Sequence, residues 1–174
     1  MYRLALILIK NFWRLPWAYG KLCHYAKYTD KFSEEEKYAH IQYMLKQAIR
    51  TGNIDFQVYG KEKKKKKNGF LIYANHQGMF DILAIVVSCD QPLAAVLKKE
   101  LCKIKFLRLI VKCTNSFPMD REDIKQSLGV IQSVIKEVKK GRNYLIFPEG
   151  TRSRKGNQML EFHGGSFKCA TKSK

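Results

Sequence analysis

Phe70-Leu71-Ile72-Tyr73-Ala74-Asn75-His76-Gln77-Gly78-Met79-Phe80-Asp81 runs from apolar residues into polar ones, and a second apolar run, Ile82 to Val87, follows at once. The first run, Phe70 to Ala74, reads as a buried strand and the second as a helix. The same rhythm continues toward the C-terminus: Leu93 to Leu97 reads as a strand, Leu101 to Val111 as a helix, and a short extended piece lies near Phe117. Asp120 is expected to cap the next helix, where Ile124, Leu128, Ile131, Ile135 and Val138 recur at intervals of four and three before Lys139-Lys140-Gly141 closes it. Tyr144 to Phe147 then reads as a further buried strand. Strands that alternate with helices in this way indicate an α/β fold, a mostly parallel sheet flanked by helices.

Toward the N-terminus, Ile54 to Tyr59 alternates apolar and polar residues and predicts another strand, joined to the first through Lys61-Glu62-Lys63-Lys64-Lys65-Lys66-Lys67. No aromatic residue interleaves that run, so it reads as a solvated loop tip rather than a nucleic-acid contact, adding at most some attraction to an anionic membrane. Ser33 and Glu36 form a capping box, and Tyr38, Ile41, Leu45, Ala48 and Ile49 recur at helical spacing up to Gly52. Leu4 to Ile9 is far shorter than the ~20 residues of a spanning helix, and no small-residue cleavage site follows it. Lys10, Phe12, Trp13, Arg14, Leu15 and Trp17 instead mix cations with aromatics, as a helix lying among lipid headgroups does. Residues 1–52 are therefore expected to be amphipathic and helical, and 53–174 to form the chemical domain.

The chain has 174 residues, of which 45% are apolar, enough for one ordinary core. Its 33 Lys and Arg against 15 Asp and Glu give a formal charge of +18, which favours anionic partners: nucleic acid, anionic lipid or an acidic carrier protein. Five scattered cysteines, odd in number, read as reduced thiols on a cytosolic face. There is no Cys-x-x-Cys pair, and His24, His40, His76 and His163 lack ligand spacing, so no metal is expected. The Gly-x-Ser-x-Gly elbow of serine hydrolases and the Gly-Lys-Ser/Thr end of a phosphate loop are both missing from the sequence. Gly164-Gly165 reads as a hinge into a short helix.

His76, Lys98, Arg121 and Glu149 each stand just past the carboxyl end of a predicted strand, and in a largely parallel sheet those ends share the rim where ligands bind. His76 and Asp81, five residues apart, would lie about 140° apart on a regular helix, too far to touch. His76 is therefore expected in the strand-to-helix turn, with Asp81 in the first helical turn accepting from one imidazole nitrogen while the other faces the rim. Such a pair is a general base that needs no covalent nucleophile. A capping histidine beside an ordinary first-turn carboxylate is the plainer reading of the two residues alone. Phe147-Pro148-Glu149-Gly150-Thr151-Arg152-Ser153, a buried strand running through proline and a glycine turn into polar groups, favours the catalytic one.

Asn75-His76 through Asp81, Asp120-Arg121 and Phe147 through Ser153, in that order, closely resemble the first three signature blocks of the glycerophosphate and lysophosphatidate acyltransferase family. The resemblance implies that His76 is the base and Asp81 its orienting partner, that Arg121 and Arg152 hold the acceptor phosphate with Lys98 as a further phosphate-facing cation, and that Glu149, Gly150 and Thr151 form the acceptor-binding turn. A guanidinium fork suits phosphate oxygens. The implied reaction moves a fatty acyl group from acyl-coenzyme A or acyl carrier protein onto lysophosphatidic acid, making phosphatidic acid without cofactor, metal or nucleic acid. It also implies a peripheral enzyme on the cytoplasmic face of the membrane, docked through a two-helix motif within 1–52. Asn115 stands where the family's second block begins with glycine, a swap that asparagine's access to left-handed backbone tolerates. The family carries a fourth, proline-containing block beyond Gly164-Gly165-Ser166-Phe167-Lys168, so a domain incomplete at its C-terminus is expected here. The alternative is an inactive fragment that binds anionic membrane.

Overall fold

The structure is a computed structural model and describes residues 2–60, 67–78, 80–154 and 158–173. Four short strands, β1 (Leu71–Tyr73), β2 (Ala94–Lys98), β3 (Phe117–Met119) and β4 (Tyr144–Ile146), form a parallel sheet in the order β1-β4-β2-β3. The helices are α1 (Tyr2–Lys10), α2 (Leu15–Lys27), α3 (Glu34–Thr51), α4 (Asp81–Ser88), α5 (Lys105–Thr114), α6 (Ile124–Lys139) and α7 (Lys168–Lys172). The α/β reading from sequence thus describes the molecule. The last strand enters the middle of the sheet, between β1 and β2, and is buried along its whole length, with Tyr144 and Leu145 fully enclosed.

Side chains of β4 alternate between two apolar layers, as the pleat requires. Tyr144 and Ile146 pack with Val130, Val134 and Val138 of α6 and Cys169 of α7; Leu145 packs on the opposite face with Tyr38 of α3 and with Ile82 and Ile85 of α4. Below the sheet, Asn143 ties three strand starts together. Its Oδ1 accepts from the N–H groups of Gly69 and Phe70 and its Nδ2 donates to the carbonyl of Pro92.

Several local expectations are corrected. Residues 54–60 carry the alternation of a strand but form no ladder among the described residues, Val58 and Tyr59 being exposed. The helix α6 is capped by Asp123, whose side chain accepts from Gln126 N–H, while Asp120 is held by Lys99 one turn earlier. Its buried face is Val130, Val134 and Val138, leaving Ile124 75% and Leu128 48% exposed. Of the expected row, Val138 is buried and Ile131 and Ile135 pack against the same cluster, with Val130 and Val134 joining them from the adjacent row, so the expected face is covered from Ile131 onward. The lysine run lies outside the described residues except for Lys67.

The N-terminal segment has three α-helices rather than two. The first expected helix breaks at residues 11–14, where Asn11, 5% exposed, donates to Ile7 O at 2.8 Å and to Thr51 Oγ1 at 2.7 Å, tying the end of α1 to the last turn of α3. Pro16 sits in the first turn of α2, where its missing N–H costs nothing. The Ser33–Glu36 capping box opens α3 as expected. Leu22, Tyr25 and Ala26 of α2 and Ile41 of α3 share an apolar cluster with Cys113, Leu109 and Ile110 of α5, so α2 and α3 are part of the core. No helix among the described residues is long and apolar enough to cross a membrane. Trp13, Phe12 and Trp17 remain 89%, 65% and 56% exposed.

Candidate active site

The neighbouring positions of β1 and β4 decide which rim residues meet. Ala74 N–H donates to Ile146 O at 3.3 Å, carrying the ladder one residue past β1, and the two chains then stay joined through side chains. The His76 N–H donates to Glu149 Oε1 at 2.8 Å, and Ser153 N–H donates to the His76 carbonyl at 2.9 Å. Glu149 is 2% exposed, and its second oxygen accepts from Leu160 N–H at 3.0 Å. Both of its oxygens are thereby engaged in holding the loop after β4 against the histidine turn.

His76 precedes α4, and Asp81 is the first residue of that helix. Nδ1 of the imidazole lies 2.9 Å from Asp81 Oδ2, and that oxygen also accepts from the N–H groups of Gln77 at 2.6 Å and Gly78 at 2.9 Å. The ring lies on Phe147, with centroids 4.3 Å apart and planes 27° from parallel. Because an ionised carboxylate only accepts, Nδ1 carries the hydrogen, and in the neutral ring Nε2 keeps its lone pair. No described residue hydrogen-bonds Nε2. A histidine held from below, behind and one edge, with its basic nitrogen unoccupied, is set up to take a proton from a bound hydroxyl.

Burial acts to raise the Asp81 pKa, but the Gly78 N–H, the His76 imidazole and the Gln77 N–H outweigh it and hold the carboxyl below its ordinary value. A lowered folded-state pKa contributes stability above the unfolded value and loses it as pH falls through the folded one. The wild-type advantage in thermal midpoint over Asp81→Asn should therefore be present at neutral pH and shrink as pH drops below the ordinary carboxylate range. A difference that stays constant down that limb would contradict the assignment.

Gly150 has a φ of +68°, and a Cβ built on it would lie 3.0 Å from Cδ2 of His163 and 3.1 Å from its Nε2. The turn after Glu149 thus needs glycine for both backbone and space. Gly150→Ala should cost about 1–2 kcal/mol, read as a lowered denaturant midpoint. An unchanged midpoint would mean that the turn adopts another conformation.

Thr151 is exposed and Arg152 half-buried on the same loop. Lys98, the last residue of β2 rather than one beyond it, and Arg121, past β3, lie on the other half of the rim, the two strands being neighbours. With strands ~4.8 Å apart, those two ends stand roughly 10 and 15 Å across the sheet from β1. Lys98 Nζ is 3.6 Å from Glu100 Oε1, and the Lys98 side chain is 53% exposed. Lys99, which the sequence did not single out, pairs with Asp120, and this bond leads the effects that lower the Asp120 pKa. Arg121 is exposed and forms no ion pair among the described residues. The structure therefore joins His76, Asp81 and Glu149 directly, places Gly150, Thr151 and Arg152 on the adjoining loop, and sets Lys98 and Arg121 apart on the same edge. Phe147 beneath the imidazole and the Ser153 N–H on its carbonyl were legible only as parts of a block, with no signal for their contacts. Among the described residues, no three His, Cys, Asp or Glu side chains gather as metal ligands would.

Comparison with known proteins gives a consistent result. A family model described as Acyltransferase matches residues 55–174. The chain is 30% identical over 129 residues to a 1-acyl-sn-glycerol-3-phosphate acyltransferase of Borreliella burgdorferi, covering 74% of this chain and 51% of that one. It is 36% identical over 104 residues to the protein of the same description in Escherichia coli, covering 59% of this chain and 42% of that one. This chain thus spans about half the length, or less, of these relatives. Among solved structures, the 1-acyl-sn-glycerophosphate acyltransferase of Thermotoga maritima superposes with a TM-score of 0.71 at 25% identity, covering 99% of this chain and 70% of that one.

Proposed function

The chain belongs to the acyltransferase family, and from that footing we propose that it transfers a fatty acyl group from an acyl thioester to the free hydroxyl of 1-acyl-sn-glycerol 3-phosphate, giving phosphatidic acid. The observation that carries this reading is the His76–Asp81 pair at the sheet's carboxyl edge, which fixes Nδ1 as the donor and leaves Nε2 as the basic nitrogen. Nε2 removes the hydroxyl proton as the acceptor oxygen attacks the thioester carbonyl. Asp81 stabilises the imidazolium. The carbon–sulfur bond then breaks, and His76 returns its proton to the departing sulfur, leaving an ester and a free thiol. No covalent acyl-enzyme forms.

Arg152, Lys98 and Arg121 supply cations on both sides of the edge for the acceptor phosphate, guanidinium forks giving paired hydrogen bonds and the ammonium a point charge. Glu149 keeps the Gly150-Thr151-Arg152 turn beside the base. The donor is acyl-coenzyme A or acyl carrier protein; both are anionic and suit a chain of charge +18. The exposed aromatics Phe12, Trp13 and Trp17, set among Lys10 and Arg14, support peripheral attachment to the cytoplasmic face of the membrane.

The test is release of free thiol from an acyl thioester by the purified chain on vesicles, with and without lysophosphatidic acid. Release that depends on the lysolipid is expected. Vesicle binding with no release would leave a membrane-binding module without turnover and overturn the proposal.

A further inference from the structure

Two segments flanking the carboxyl edge of the sheet carry apolar side chains that the folded chain leaves uncovered. After β2 come Leu101, Ile104 and Phe106, 40%, 53% and 36% exposed; after β3 come Ile124 and Leu128, 75% and 48% exposed. They adjoin one another, because β2 and β3 are paired and the Lys99–Asp120 ion pair bridges the segments. Exposed cations surround them: Lys103, Lys105, Arg108 and Lys125 form no ion pair among the described residues. The start of α5 also breaks helix rules. It has no side-chain cap and no acidic residue in its first turn, and it opens on Lys105, a cation at the positive end of the helix. A phosphate above that end would offset both faults.

The α1 segment lies toward the same end of the molecule. Glu34, at the start of α3, pairs with Arg142 just before β4, at the opposite edge of the sheet. The helix α3 then climbs about 27 Å over its length, and its last turn holds α1 through the Asn11–Thr51 bond. Phe56, five residues past α3, stacks edge-on against Phe80, which precedes Asp81.

We propose that the segments after β2 and β3 form a second membrane contact, in which Ile104, Phe106 and Ile124 enter the acyl boundary while Lys103, Lys105 and Lys125 meet anionic headgroups. The active edge then faces the bilayer directly, and α1 is not the sole anchor. A lysolipid acceptor reaches His76 from the membrane plane without crossing water. Charge decides for lipid over another protein copy, since a like-charged surface of +18 repels its own kind and is drawn to anionic lipid. The inference deepens the membrane part of the reading above, but its test needs no turnover.

Flotation of the full chain is compared on vesicles of phosphatidylcholine mixed with phosphatidylglycerol and on phosphatidylcholine alone. Ile104→Asp with Phe106→Asp should weaken partition to the anionic vesicles by about tenfold or more. Lys103→Glu with Lys105→Glu should lower the preference for anionic over neutral vesicles several-fold, more than the same two reversals at Lys136 and Lys139, away from this surface. Far-UV circular dichroism and thermal midpoint serve as fold controls, and Ile124→Asp alone, at the most exposed of these positions, is the variant to use if the double aspartate does not fold. Partition unchanged in the folded variants overturns the proposal. So does a wild-type dimer that the apolar pair splits in sedimentation without changing flotation, since a second copy would then be the occupant. A chain that floats as expected yet transfers no acyl group would overturn the catalytic reading alone.

Discussion

His76→Ala should lower acyl transfer to lysophosphatidic acid by about 10²- to 10⁴-fold at saturating donor, with little change in thermal midpoint. The asymmetry follows from what the side chain does. Its ring is 22% exposed, lies on Phe147 and makes one hydrogen bond, to an oxygen that two backbone N–H groups also share. Removing the ring leaves Asp81 with two donors and the turn with its two backbone bonds through His76, so the fold stays while the base is gone. Rate and midpoint measured on the same preparations check this. A His76→Ala chain with full transfer would end the assignment of the base, and one that unfolds would make the residue structural.

Glu149→Ala should damage both activity and stability. The carboxylate is 2% exposed and accepts from His76 N–H and Leu160 N–H, so truncation leaves two backbone donors without partners in a place water reaches poorly. Each such loss costs about 1–3 kcal/mol, giving roughly 2–6 kcal/mol together. The same bonds set the loop with Gly150 and Arg152 beside the imidazole, and transfer should fall with them. Glu149→Gln, which can accept from only one of the two donors, should lie between. A denaturant midpoint near wild type for Glu149→Ala would show that the loop is held by other contacts, such as Ser153 N–H to His76 O and His163 N–H to Pro148 O, each at 2.9 Å.

Much of this was legible in the sequence, and the reasons differ by residue. The rim was legible because polar residues stood just past runs of apolar ones, and four parallel strands turn that spacing into a shared edge. The His76–Asp81 contact followed from a negative argument: five residues cannot touch within a helix, so the histidine had to lie outside it. Asn115 adopts φ +51° at the end of α5, in line with the tolerance argued for asparagine there. Strand order was not legible. Nothing local shows that β4 enters between β1 and β2, and this insertion places Glu149 against His76 and leaves Lys98 and Arg121 on the far half of the edge. The role of Glu149 as a double acceptor of backbone N–H groups was hidden in part for the same reason, since the His76 donor lies 73 residues away, while Leu160, 11 residues on, is brought back by a loop that no sequence signal marks. Alternation misled at Ile54 to Tyr59, where the period of a strand exists but no ladder forms among the described residues. In α6 the periodicity found the buried face from Ile131 onward but not that Val130 and Val134 share it, or that Ile124 and Leu128 lie beyond the sheet's cover.

The most direct test of base-catalysed acyl transfer is a single-turnover quench with an acyl thioester labelled in its carbonyl carbon, followed by mass analysis of lipid and intact protein together. Label should pass straight into phosphatidic acid while the mass of the protein stays constant throughout. Label appearing on the protein, or released as free fatty acid with none in phosphatidic acid, would contradict direct attack by a hydroxyl that His76 deprotonates.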